Sequence, residues 1–169
     1  MNMDLLSKIP AYMTGFNAFL DKLNFCGAVT KITPPKLVFK TDKFQSGCML
    51  SESAMPMGLE EMKAQFTLKD YSAEVDKRIG KRVLFAFHGA IRVDGSEVAL
   101  SMEMAGLLHT IDYGNWEPQK MGEKQFELSV DYLKYSYNGE VILDFDNFGG
   151  GLTIGGEDRT AARRNALGL

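Results

Sequence analysis

The sequence holds few of the side chains that usually carry chemistry: 169 residues include two cysteines, two histidines and one tryptophan. Cys26 and Cys48 form no CxxC pair, and two thiols without histidines at matching spacing do not complete a four-ligand zinc site. Both are expected to be small buried thiols. Neither sign of charge dominates, since 19 basic residues face 22 acidic ones for a net charge of -3. With no strongly basic run, that balance argues against a module that binds nucleic acid by neutralising phosphates. No apolar run reaches the roughly 18 residues of a membrane helix, so no membrane-spanning segment is expected. Asp4, Ser7, Lys8 and Pro10 interrupt residues 1–12, which therefore do not read as a signal peptide. The expectation is a soluble protein made in a reducing cytoplasm. A hydrophobic share of 45% and a charged share of 24% exclude disorder, collagen and coiled coil.

What is abundant is Gly (17), Phe (11) and Tyr (6), a mixture that favours turns and strands. Residues 16–29 fit a short edge hairpin leading into Pro34-Pro35, and residues 36–41 are a further strand candidate. Residues 41–58 form the least regular stretch, a long extended loop with Gly47, Pro56 and the apolar Met49, Leu50, Met55 and Met57. Long loops inside small domains are usually functional, and methionine adapts well to contact surfaces. Residues 59–69 alternate as a strand. Asp70 or Ser72 is expected to cap a short helix over 73–79 that Gly80 stops. Residues 82–93 alternate with period two, Val83, Phe85, Phe87, Ile91 and Val93 facing one way and Arg82, His88 and Arg92 the other. Asp94-Gly95 supplies the turn and a return strand follows, with Gly106 shifting its phase toward Leu107 and Ile111 through a β-bulge. After a polar loop over 112–124 with Trp116, residues 125–137 and 140–146 are joined by Asn138-Gly139, the strongest hairpin signal in the chain. The glycines at 149–151 and 155–156 loosen the chain before a brief terminal helix with Arg159 and Arg163 on one face. About seven strands and one short helix give a mainly β fold, an antiparallel barrel or sandwich. The two longest hairpins need cover from another copy, because long bare edges aggregate.

Constellations that resemble active sites are incomplete. His88 or His109 with Ser101 and Asp112 would make a hydrolase triad, but no nucleophile elbow accompanies them. Asp144, Asp146 and Asn147 begin like a calcium loop, yet Phe148 and Gly155 stand where ligands are required. The glycines at 149–156 lack the Lys-Ser or Lys-Thr of a phosphate loop. Tyr132, Tyr135 and Tyr137 with Lys134 suit cross-strand packing better than a stacking platform for single-stranded nucleic acid.

An ordered series of segments runs through nearly the whole chain. It comprises Ile9-Pro10, residues 16–21, Pro35-Lys36-Leu37, Lys40-Thr41, Met57-Gly58-Leu59-Glu60 and residues 62–66. It continues with Gly106-Leu107-Leu108, Ile111-Asp112, Gly114 with Trp116, Gly122-Glu123-Lys124, Tyr132-Leu133-Lys134-Tyr135, Asn138-Gly139-Glu140, Arg164-Asn165 and Leu167-Gly168-Leu169. In this order the series resembles the major tail tube proteins of contractile phage tails and R-type pyocins. The resemblance implies one tail tube domain over 1–169, assembling into hexameric rings that stack head to tail inside a contractile sheath, without catalysis or cofactors. It implies a virion tail or bacteriocin particle assembled in the host bacterial cytoplasm, with sheath, tape-measure, baseplate and tail-terminator proteins as partners. DNA would pass through the lumen without specific binding. The alternative is the tube of a bacterial contractile secretion or bacteriocin system carrying protein cargo or none.

On this reading four strands from each of six subunits make one inner barrel. Strand spacing near 4.8 Å and a tilt of about 40° give a backbone diameter of roughly 48 Å, of which roughly 40 Å stays free for duplex DNA. A wall lined with Lys and Arg would hold that DNA, so an acidic or neutral lumen is expected, with Glu97, Ser101, Glu103, Glu127, Ser129 and Asp131 as candidates. The loop over 42–57 resembles the family's arm that reaches a neighbouring subunit, burying Met49, Leu50 and Met55 there. Met57 and, in the C-terminal tail over 157–169, Arg159, Arg163 and Arg164 are further contact candidates, as is the N-terminal segment.

Overall fold

The computed structural model describes residues 10–169. Strands β1 (Tyr12–Leu20), β2 (Leu23–Asn24) and β3 (Val29–Thr33) are followed by β4 (Phe39–Phe44), β5 (Ser53–Leu59) and β6 (Met62–Leu68). A 3₁₀ turn (Asp76–Arg78) precedes β7 (Arg82–Val93), β8 (Ser96–Asp112), β9 (Lys124–Tyr137) and β10 (Glu140–Asp146). The short β11 (Gly151–Ile154) and β12 (Glu157–Asp158) lead into helix α1 (Ala161–Leu167). The long strands follow their hydrophobic alternation: Val83, Phe85 and Phe87 are buried while Arg82, Leu84 and His88 are exposed. Their turns follow local chemistry. Asp94 and Gly95 take φ of 47° and 82°, and Asn138 and Gly139 take 52° and 81°. Two consecutive positive φ values make the two-residue turn whose twist matches the flanking strands.

Ten strands join one antiparallel sheet, ordered β12-β11-β10-β9-β8-β7-β1-β2, with β6 also on β9 and β3 on β6. β9 is the spine. One of its edges pairs with β8, while the other is shared between β6 over Lys124–Val130 and β10 over Tyr132–Tyr137. The sheet curls on itself. Phe66 of β6 stacks on Phe126 of adjacent β9 at 5.2 Å and also on Phe85 of β7 at 4.7 Å, although β9 and β8 lie between β6 and β7 in strand order. Only closure into a barrel-like shape brings those rings together. Phe85, Phe126, Leu20, Met62, Met104, Leu108 and Leu128 fill its interior, each contributing about 1.5–3 kcal/mol by leaving water.

The expected mainly β antiparallel architecture is present, and several local expectations are corrected. There are twelve strands, because the glycines at 149–151 and 155–156 close turns between additional strands instead of loosening the chain. Gly155 and Gly156 take φ of 59° and 80°, the geometry of a tight β11–β12 hairpin. The stretch over 42–57 is a twisted β4–β5 hairpin, with Phe44 paired to Ser53 and Phe39 to Leu59. The strand expected over 36–41 begins later, at Phe39. The helix expected over 73–79 shrinks to the 3₁₀ turn, which has no side-chain cap. The bulge beside Gly106 belongs to β9: Ala105 pairs with Tyr132 and Gly106 with Val130, leaving Asp131 as the extra residue. Leu107 is exposed, and the shift that turns Ile111 inward occurs instead at His109. Cys26 and Cys48 are both exposed rather than buried, since one lies in the β2–β3 turn and the other at the tip of the β4–β5 hairpin.

Candidate assembly surfaces

The register places Glu97, Ser101 and Glu103 of β8 and Glu127 and Ser129 of β9 on the sheet face turned away from the core. Asp131, extruded by the bulge, joins them by bonding to Arg82 of β7. All six residues expected to share one polar face therefore do so. Most are already partnered. Arg92 donates to Glu97 from Nε at 2.9 Å and Nη2 at 2.6 Å, and Thr14 donates to its other oxygen at 3.0 Å. Glu127 accepts from Gln65 at 2.9 Å and lies 3.6 Å from Lys63 and 3.3 Å from His109. Ser129 donates to Glu61 at 2.8 Å, and Glu103 stands opposite Lys134.

The field on this face is negative. Glu97, Glu103, Glu127, Asp131, Asp144 and Asp146 outnumber Lys63, Arg82, Arg92 and Lys134 among the charges that the register turns outward. Tyr132, in their midst, has its phenol pushed up by burial and then by Asp144, Glu103 and Asp146. The hydrogen bond from Gln65 holds the Glu127 carboxyl below its usual range against an opposing desolvation, with help from Lys63 and His109. Tyr135 and Tyr137 belong to the opposite, core-side face, so Tyr132 and Lys134 do not form a continuous platform with them. His88 pairs across from Ser101, but its ring sits edge-on to Phe19 at 5.8 Å, and Asp112 accepts from the Gly114 N–H. No triad is assembled from them. Asp146 accepts from the Phe148 and Gly149 N–H groups, a local turn where a calcium loop was weighed.

The β4–β5 arm pairs only with itself. Leu50 at its tip is fully exposed, Met57 is 65% and Met55 49% exposed, and Met49 is half-buried. Phe39 and Phe44 are exposed as well, a signal that their place in a strand candidate obscured. Gly58, at φ 128°, sits at the arm's root, a conformation that glycine adopts and bulkier residues avoid.

In the C-terminal tail the three arginines have different surroundings. Arg164 is held inside the subunit: it bonds Asp158 and donates to Thr160 Oγ1 at 3.2 Å, while Thr160 Oγ1 accepts from Leu152 N–H at 3.0 Å. That hydrogen bond from Arg164, followed by the Thr160 N–H, holds the Asp158 carboxyl low. Arg159 pairs with exposed Glu157 at 2.9 Å. Arg163 borders an open groove of about 910 Å³ shared with Arg159, the arm's root at Phe39 and Met57, and the β9 bulge. The expected contacts of the N-terminal segment fall mainly outside the described residues.

Long paired strands, a polar outer face whose charges largely pair off, and a hairpin with exposed apolar groups on no sheet define a building block that other subunits complete. The chain belongs to the phage tail tube protein FII family, whose model matches residues 10–168. It is a structural tail tube subunit, a component of the virion tail that assembles with copies of itself and other tail proteins. No curated protein sequence matches it. Among the described residues no helix is long and apolar enough to cross a membrane.

Proposed function

We propose that this subunit builds the inner tube of a contractile tail as stacked hexameric rings, with β7 to β10 of each copy lining a conduit through which DNA passes into the host. The observation that carries this reading is the outward face of those strands, where carboxylates outnumber cations around Tyr132 and most cations are paired. Duplex DNA releases counterions to free Lys and Arg, so a wall without them lets the polymer slide. On this reading Glu97, Ser101, Glu103, Glu127, Ser129 and Asp131 face the lumen. The arm over 42–57 covers a neighbour with Met49, Leu50, Met55 and Met57, while Arg159 and Arg163 meet an adjoining copy. Arg164 serves that contact indirectly by fixing α1. The sheath encloses the tube, and tape-measure, baseplate and tail-terminator proteins meet its bore and ends. Cryo-electron microscopy of tubes assembled from the purified chain tests the reading. Six subunits per ring with these six residues at the bore are expected. A different symmetry, or a bore lined by the opposite face, overturns it.

A further inference from the structure

The β7–β8 hairpin projects beyond the rest of the sheet. The last pair between β8 and β9 at that end is Leu100 with Tyr137, whereas β7 and β8 continue to Val93 with Ser96. Residues 96–99 of β8 therefore lack a β9 partner and form a finger extending about 13 Å at roughly 3.3 Å per residue. Its inner surface is apolar. Leu100 and Met102 still pack on the core, while Ile91, Val93 and Val98 lie beyond it and remain half-exposed. The opposite end of the same strands carries an aromatic platform. Trp116 meets Tyr71 edge-on at 6.2 Å and Tyr113 edge-on at 6.3 Å, and all three rings are exposed, Trp116 by 67%. The platform is braced, since Trp116 donates to the Tyr113 carbonyl at 3.1 Å and the Lys124 ammonium lies 5.6 Å from the Tyr113 ring.

We infer that the finger of one copy docks on the aromatic platform of the next copy along the strand axis, so that this pair of surfaces is the axial joint. β8 alone has 17 residues, so finger and platform are separated by roughly 55 Å and cannot meet within one chain. Their rims differ in charge: Asp94 and Glu140 at the finger end, and exposed Lys22 and Lys81 at the far ends of β1 and β7. Two different surfaces at opposite ends of a subunit join head to tail without closing, the symmetry that extends a filament. The inference rests on the proposed tube, and its test separates the two.

Trp116 is the sole tryptophan, so the unaltered chain reports on its own platform. In assembled tubes its emission is expected to move to shorter wavelength and its quenching by iodide to fall several-fold relative to dilute, unassembled chain. Tubes that form while Trp116 stays equally quenchable overturn the joint but leave the tube reading standing. Absence of any tube overturns both. As a positional check, Val98→Cys combined with Trp116→Cys, in a Cys26→Ser and Cys48→Ser background, is expected to give an oxidation-dependent ladder of multimers that neither single cysteine gives. Assembled tubes without a ladder count against the joint. A combined variant that fails to assemble leaves the decision to the quenching result on the unaltered chain.

Discussion

Replacing Gly106 with alanine tests the packing of the sheet at its narrowest point. A Cβ built there lies 1.8 Å from the Ser129 carbonyl oxygen, 2.8 Å from its carbon and 3.0 Å from the Val130 Cα. These are backbone atoms of β9, so no rotamer change relieves them. Bringing the oxygen contact to even 3.0 Å, the floor for real Cβ atoms, requires β8 and β9 to part by about 1.2 Å. Cross-strand hydrogen bonds near 2.9 Å do not survive that displacement. Losing two or three of them costs about 1 kcal/mol each, and overpacking adds about 1–3 kcal/mol. Together these predict a loss of about 3–5 kcal/mol. For a chain of this size, at about 2–4 °C per kcal/mol, Tm should fall by roughly 6–20 °C. Gly89→Ala is the control, because its Cβ would meet the Met13 methyl at 3.2 Å and the Phe87 ring at 3.3 Å, side-chain atoms able to give way. Urea and thermal unfolding followed by circular dichroism on dilute, unassembled chain reads both variants. A Gly106→Ala loss below about 1 kcal/mol, or one no larger than that of Gly89→Ala, would refute the claim that close backbone approach fixes this residue.

Three further outcomes are expected. Asp76→Ala strands the Lys124 ammonium, whose side chain is 4% exposed and bonds Asp76 at 2.8 Å, and should cost about 3 kcal/mol in urea unfolding despite the remaining bond to the Ser72 carbonyl. Because the folded Glu127 carboxyl is held below its usual 4.5, its contribution is present above that value and is lost as pH falls through the lower folded value. Gln65→Leu removes the largest cause, so carboxyl-detected NMR should show Glu127 titrating at higher pH, and an unmoved titration contradicts the assignment. Shortening the arm by replacing residues 45–52 with Asn-Gly should leave unfolding of the isolated chain nearly unchanged while abolishing tubes in electron micrographs. Tubes from the shortened chain would remove the arm from assembly.

The features legible in the sequence were those set by a few adjacent residues. Asp94-Gly95 and Asn138-Gly139 announce their turns because they accept positive φ, and Val83, Phe85 and Phe87 announce their face through strict alternation. The polar face of β8 and β9 followed from the same alternation, which is why Glu97 and Glu127 share one side. The arm's pairing was hidden because Met55, Pro56 and Met57 show no two-residue period. The bulge was assigned to the wrong strand because only the partner's register reveals that Asp131 is the extra residue. The platform could not be read at all, since Tyr71 lies far in sequence from Tyr113 and Trp116 and reaches them only after the sheet has curled.

The continuous ladder between β8 and β9 has a mechanical consequence. Its hydrogen bonds run across the strands, from Leu100 opposite Tyr137 to Asp112 opposite Gln125. A pull along the strand direction therefore loads the bonds in shear, so that they resist together, whereas a pull across the sheet opens them one after another. The subunit is stiff along its length and weak against peeling. At β9 the second edge changes owner between Val130 and Tyr132, so peeling that starts at β10 meets a break before it reaches β6. Damage on one side of the spine stops there, and the barrel half stays closed.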